Sequence, residues 1–240
     1  MPKTNQLQVD IASHSIQGLK DNNEDSVGFL VPQAVSELEN KGIVLAVADG
    51  VSSAEAGKEA SKTAITRFLS DYYQTPDTWS VKHAGQKILS SINLTLFKRS
   101  HEFVSEEKGY LTTFTALVIK SRIAHFFHAG DSRAYLLRDG ELKQLTRDHV
   151  ASIGSGRSFL ARAMGMDNSI QIDYGQFALE TQDIILVTSD GIHDFVSFDA
   201  IAQLISTEQA CQQRIETLVQ AALANGSDDN ISGSLCQIAA

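Results

Sequence analysis

Apolar residues recur along the chain at two periods, and the change from one to the other predicts its elements. Leu7, Val9 and Ile11 alternate with polar neighbours, the two-residue period of a half-buried strand. Val27–Val31 and Gly42–Ala48 predict two more strands, the second apolar enough to be central. From about Ser53 the period lengthens. Ala56, Ala60, Ala64, Ile65, Phe68, Leu69 and Tyr72 fall three and four apart, on one face of an amphipathic helix. A second helix is expected from about Thr78 to Lys98, striped by Ala84, Ile88, Ile92 and Leu96, with Pro76 in the connection. Strand patterns return at Thr113–Lys120, Arg122–Ala129 and Ala134–Leu137. The last is joined to Glu141–Leu145 through Arg138-Asp139-Gly140, an Asp-Gly hairpin signal. Ile170–Phe177 and Asp183–Thr188 read as strands, Phe198–Asn225 as mostly helical, and Ile231–Ile238 as a closing strand. Runs of strands and paired helices, in place of regular βαβα alternation, predict an α+β fold of mostly antiparallel sheet, with two sheets covered by the helices.

Composition narrows this to one globular unit. A chain of 240 residues with 42% hydrophobic content buries a substantial core, and only three prolines and no low-complexity stretch interrupt it, so 1–240 reads as a single domain. A formal net charge of -9 with no Lys/Arg run argues against nucleic acid or an anionic membrane as partner. Cys211 and Cys236 belong to no metal or redox spacing and read as small buried hydrophobes in a reducing compartment. The first ten residues lack an apolar signal core, and no apolar run approaches the roughly 20 residues of a membrane helix. A cytoplasmic location is the expectation.

The chemistry lies in a repeated pattern: an apolar strand-like run that ends in an acid followed by a small residue. It occurs at Val44-Leu-Ala-Val-Ala-Asp49-Gly50, at His125-Phe-Phe-His-Ala-Gly-Asp131-Ser132 and at Ile184-Ile-Leu-Val-Thr-Ser-Asp190-Gly191. One Asp-Gly after a strand is an ordinary turn. Three acids launched from the ends of central strands can converge on one sheet edge, where their charges repel unless a cation offsets them. Asn22-Asn23-Glu24-Asp25 and Asp228-Asp229-Asn230 add to the count. Oxygen donors alone suit Mg²⁺ or Mn²⁺, whereas zinc favours His or Cys, and none of the seven histidines offers a convincing ligand pair. His125 and His128, three apart on a strand, point to opposite faces.

In order, Gly18-x-Lys20-x-x-Asn23-Glu24-Asp25, Ala48-Asp49-Gly50, Gly130-Asp131-Ser132-Arg133, Leu145-Thr146-x-Asp148-His149, Ser189-Asp190-Gly191 and Asp229-Asn230 resemble the metal-dependent type 2C protein serine/threonine phosphatases in their short bacterial form. The stretches Leu69–Val81 and Lys120–His128 are more similar still to the phosphatase module of bacterial bifunctional kinase/phosphatase proteins, whose kinase lies C-terminal. The resemblance implies a four-layer αββα sandwich and hydrolysis of phosphoserine and phosphothreonine in proteins by a metal-bridging water, opposing a Ser/Thr kinase that is C-terminal or encoded nearby. It also implies two Mn²⁺ or Mg²⁺ ions and a weaker third. Asp49 would bridge two ions, Asp25 and the Gly50 carbonyl would complete their shells, and Asp190 and Asp229 would ligate one of them. Asp131 and Asp194 would belong to the third site. Glu24 would act mainly through metal-bound water, Asn230 would stand behind the ligands, and Lys20 would bind the substrate phosphate.

Several features depart from the family pattern. Lys20 stands where an arginine clamp is usual, and a lysine is a point donor without the planar fork. Val51-Ser52-Ser53 lacks the histidine that several relatives place two residues after the aspartate. His193 is then a candidate general acid or a packing residue. Val150–Phe159 is shorter than the flap usual in bacterial relatives, and its Gly154-Ser-Gly156-Arg157 is either a phosphate-seeking replacement or a flexible loop. A phosphate-loop reading of Gly50 to Gly57-Lys58 fails because six residues separate the glycines and Glu59 replaces the Ser or Thr. No Gly-x-Ser-x-Gly elbow supports a serine hydrolase. A non-catalytic member of the same fold that binds phosphoproteins is the remaining rival.

Overall fold

The computed structural model describes residues 8–51, 54–102, 109–153 and 157–239. Along the chain run β1 (Val9–Ile16), β2 (Ser26–Leu30), α1 (Val35–Lys41), β3 (Ile43–Ala48), α2 (Ala54–Tyr73), α3 (Val81–Glu102), β4 (Phe114–Lys120), β5 (Ile123–Ala129) and β6 (Arg133–Arg138). There follow β7 (Glu141–Gln144), β8 (Val150–Ile153), β9 (Arg157–Leu160), β10 (Asp173–Ala178), β11 (Ile184–Thr188), α4 (Asp190–His193), α5 (Phe198–Ile205), α6 (Cys211–Ala224) and β12 (Ile231–Ile238). Two five-stranded sheets, ordered β1-β12-β11-β6-β7 and β10-β5-β4-β3-β2, carry the fold, and β8 and β9 pair only with each other. All the strand pairings within these sheets are antiparallel.

Three cores separate four layers. Phe68 of α2 and Leu89, Ile92 and Leu96 of α3 pack on Phe114, Ala116 and Phe127. Ile201, Ile205, Ile215 and Leu218 of α5 and α6 pack on Leu186 and Leu235 of the other sheet. Between the sheets lie Leu45, Val47, Leu117, Ile185, Val187 and Cys236. This is the expected αββα sandwich. Strand β3 explains its own sequence: Val44, Ala46 and Ala48 face the helices while Ile43, Leu45 and Val47 face the other sheet. With both faces covered, all six residues are apolar and none alternates with a polar one.

The elements differ from expectation mainly where they are short. Helix α1 has too few turns to show a period; its last residue, Lys41, buries its ammonium against Thr75 and Asp77. The helical stretch from Phe198 breaks into α5 and α6, and Ser197 Oγ caps the first by accepting from the Ala200 amide at 3.3 Å. Strand β10 starts at Asp173 rather than Ile170, and α3 at Val81 rather than Thr78. The stretch after His149, read as a loop, holds the β8–β9 hairpin; its Gly154–Gly156 tip, Leu7 and the Ser52–Ser53 helix start lie outside the described residues. At the β6–β7 turn Asp139 (φ 52°) and Gly140 (φ 79°) are both left-handed, as a two-residue type I′ hairpin requires. Both cysteines are buried and free. No described helix is long and apolar enough to cross a membrane.

Helix α3 approaches β5 closely because residue 85 has no side chain: a Cβ there would lie 2.3 Å from Phe127 Cζ. Gly85→Ala gains helix propensity yet is expected to lose about 1–3 kcal/mol by overpacking. Adding Phe127→Leu opens that space. Urea unfolding of the single and double variants should give a coupling of roughly 0.5–3 kcal/mol; simple additivity would contradict the contact.

Candidate active site

Antiparallel pairing brings the acids together from distant parts of the chain. Asp49 follows the last residue of β3, and because Ala48 pairs with Ser26 at the start of β2, Asp25 lies beside it. In the other sheet Thr188, the last residue of β11, pairs with Gly233 near the start of β12. Asp190 and Asp229 therefore meet at that sheet's end. Asp131 arrives from β5 through Gly130, whose φ of 118° turns the chain. Adding a Cβ to Gly191 would bring it within 2.0 Å of the Asn230 carbonyl oxygen, so the small residue after Asp190 is what admits the β12 loop.

Neutral hydroxyls and amides fix these acids. The Asp49 amide donates to Thr113 Oγ1 (3.0 Å), whose oxygen also meets Ser132 Oγ (2.7 Å). The Asp49 carbonyl accepts from the Thr113 amide and from Thr112 Oγ1, both at 2.8 Å. Ser189 Oγ donates to Asp25 Oδ2 at 2.8 Å. Asn230 ties three loops: its side-chain amide donates to the Gln17 and Asn22 carbonyls, and its Oδ1 accepts from the Glu24 amide. Arg133 binds both oxygens of Asp148 (2.7–3.0 Å), joining two motifs that lie apart in sequence. The Gly130 amide donates to His149 Nδ1 (3.1 Å), and His149 Nε2–H reaches Asp173 (3.1 Å). Sequence reading missed Thr112, Thr113 and Ser189 as supports; small hydroxyl residues beside strand ends carry no periodic signal.

Electrostatically the acids form one cluster. Burial and then hydrogen bonds and neighbouring carboxylates leave Asp25 at about 6. Asp190 is pushed up to about 7 by burial and by Asp131, Asp229, Asp25 and Asp194. Asp49 is raised well above the carboxylate range by burial and by Asp25, Asp190, Asp131 and Asp229, and so sits at the centre of the repulsion. Asp131 is raised as well, by burial and by Asp148 and Asp194. Asp194 itself is exposed at the rim. Among the described residues no three of these side chains close to the short mutual distances of a coordination shell. The donor chemistry fits a hard divalent cation: several carboxylates, no thiolate and no imidazole in the cluster.

Lys20 reaches the cluster, 3.1 Å from Asp229 Oδ2. Burial lowers its pKa, but the bond to Asp229 and the charges of Asp229, Asp190 and Asp228 outweigh that and raise it. Glu24 lies alongside, raised by burial while Lys20 opposes the shift. His193 resolves toward packing: its side chain is 2% exposed, its Nδ1 meets Thr188 Oγ1 at 2.8 Å, and burial pushes it down to about 3. A neutral imidazole keeps one N–H but holds it far too tightly to protonate a leaving group at neutral pH.

A profile of protein phosphatase 2C matches residues 12–235. The chain belongs to the protein phosphatase 2C family. This phosphatase is 29% identical over 233 residues to the protein phosphatase PhpP of Streptococcus pneumoniae, covering 89% of this chain and 91% of that one. It is similar in structure to the serine/threonine phosphatase PstP/Ppp of Mycobacterium tuberculosis, with a TM-score of 0.81, 26% identity and coverage of 97% and 99%. A structure of the PstP catalytic domain in complex with two manganese ions gives a TM-score of 0.80 at 25% identity, again covering 97% and 99%.

The charge cluster predicts a pH-dependent cost to the metal-free phosphatase. A carboxyl raised from 3.8 to about 7 makes the folded state bind more protons than the unfolded one between those values, so stability falls as pH rises through the window. In EDTA, Asp190→Asn should therefore be more stable than wild type at pH 7.5, on the order of 1–3 kcal/mol, and about equal near pH 4. Denaturant melts at the two pH values test this; a variant less stable at both would contradict it.

Proposed function

We infer that this phosphatase hydrolyses phosphoserine and phosphothreonine in proteins with the aid of divalent cations, residues 1–240 acting as one catalytic unit. The observation that carries the reading is the convergence of Asp25, Asp49, Asp131, Asp190 and Asp229, whose mutual repulsion asks for positive charge that Lys20 supplies only in part. Asp49, Asp25, the Gly50 carbonyl, Asp190 and Asp229 would hold two ions, with Asp49 shared between them, and Asp131 and rim-exposed Asp194 would hold a weaker third. Two Mn²⁺ or Mg²⁺ ions, when bound, supply an activated water and offset charge on the phosphoryl oxygens.

The protein's own residues do the rest. Glu24 and Asn230 hold the loops that carry Asp25 and Asp229, through the Glu24 amide bond to Asn230. Lys20, at the edge of the cluster 3.1 Å from Asp229, would meet a phosphate oxygen as a single charged donor. With His193 neutral and enclosed, the leaving alkoxide takes its proton from solvent. Two free cysteines suit a reducing, cytoplasmic setting, and a Ser/Thr kinase encoded nearby or fused C-terminally would supply the substrates. The alternative of a phosphoprotein-binding, inactive relative is disfavoured by the completeness of the carboxylate set.

Turnover of p-nitrophenyl phosphate and of phosphoserine peptides should require Mn²⁺ or Mg²⁺ and be lost in EDTA and in Asp190→Asn. Metal-replete wild-type protein with no turnover on any of them would replace the enzyme with the binding module. Lys20→Ala should raise KM about tenfold, the worth of one charge-assisted hydrogen bond; an unchanged KM would remove Lys20 from the substrate site.

A further inference from the structure

A cavity of about 400 Å³ opens where edge strand β10 meets the space between the sheets. Its walls include Lys82 from the first turn of α3, Phe126 and His128 of β5, Arg147 after β7, and Asp173 and Tyr174 of β10. It adjoins the carboxylate cluster: His128 lies three residues before Asp131, which at ~3.3 Å per residue puts the two no more than about 10 Å apart.

The charge of this cleft is opposite to that of the chain. Lys82 Nζ lies 5.1 Å above the Tyr174 ring. Neither Lys82 nor Arg147 is ion-paired with an acid among the described residues. The one carboxylate in the wall, Asp173, is already engaged by Arg162 (2.7 Å) and His149 (3.1 Å), which hold it below its usual range against the pull of burial. Helix α3 adds to the field: its first two turns carry Lys82 and Lys87 and no acid. Below them the floor is rigid. Tyr174 is fixed by His125 Nδ1 at 2.8 Å and packs on Phe127, while buried His128 is held by Thr115 and the Arg147 carbonyl.

We propose that this cleft is an accessory anion subsite, holding a carboxylate or phosphate side chain of the same polypeptide whose phosphoserine enters the carboxylate cluster. The proposal rests on the phosphatase reading and adds a substrate preference to it. A cluster of five acids repels an acidic substrate, and two uncompensated cations beside it restore local attraction. An extended peptide covers a span of up to ~10 Å in about three residues, so the preferred anion sits two to four positions from the phosphoserine.

The test uses the Mn²⁺-loaded protein and phosphoserine peptides that differ only at those positions, carrying Glu, a second phosphoserine or Ala. Wild type should show kcat/KM about tenfold higher for the anionic peptides than for the Ala peptide, mostly through KM. In Lys82→Glu/Arg147→Glu that ratio should fall to one or below. Both side chains are exposed, so the thermal midpoint serves as the folding control. A wild-type ratio near one, or a ratio that survives the double charge reversal in folded protein, overturns the subsite. Absence of wild-type turnover even on p-nitrophenyl phosphate would overturn the phosphatase reading, and the subsite with it.

Discussion

Mutual repulsion among carboxylates is the constraint to which the rest of this structure answers. Asp49 is buried within range of four other acids, and burial first, then that repulsion, makes both it and Asp190 hold their protons far more tightly than a solvated aspartate would. A sheet end that gathers such charge is unfavourable unless the backbone fixes it there and something positive offsets it. The two-sheet sandwich meets the first condition. Antiparallel pairing sets Asp25 beside Asp49 in one sheet and Asp229 beside Asp190 in the other, and the packed layer between the sheets holds the two pairs face to face.

The supports are neutral where they touch the acids. Threonine and serine hydroxyls grip the Asp49 backbone and the Asp25 carboxylate, and Asn230 knots the loops, so position is set without spending the charge. Full positive charges stand one step back: Arg133 is occupied by Asp148, and Arg162 by Asp173. Among the described residues Lys20 alone pairs directly with a member of the cluster. The same arrangement of spent and unspent charge distinguishes the neighbouring cleft, where Asp173 is neutralised and Lys82 and Arg147 have no acidic partner among the described residues.

Much of this was legible in the sequence because the physics there is periodic. The buried run of β3, the three- and four-residue stripes of α2 and α3, and the Asp-Gly turn after β6 each follow from one local rule. The acids were legible by repetition: three strand-like runs that end in Asp point to one edge. What the sequence concealed is non-periodic. Helix α1 is too short for a stripe, the β8–β9 hairpin lies in a stretch that reads as a glycine-rich loop, and Thr113 supports Asp49 across 64 residues through one hydroxyl. The fate of His193 was equally invisible. Its position after Asp190-Gly191 suits chemistry and packing equally, and its enclosure beside Thr188 shows packing.

Charge compensation at the sheet end is the claim on which the account stands, and a Mn²⁺ titration followed by calorimetry, with unfolding measured in parallel, tests it most directly. The account predicts saturable binding of two ions, a rise in stability with free Mn²⁺ as linkage requires, and loss of the bridged pair in Asp49→Asn. Wild-type protein that binds no Mn²⁺ above a nonspecific background, or an Asp49→Asn variant that binds as wild type does, would contradict it.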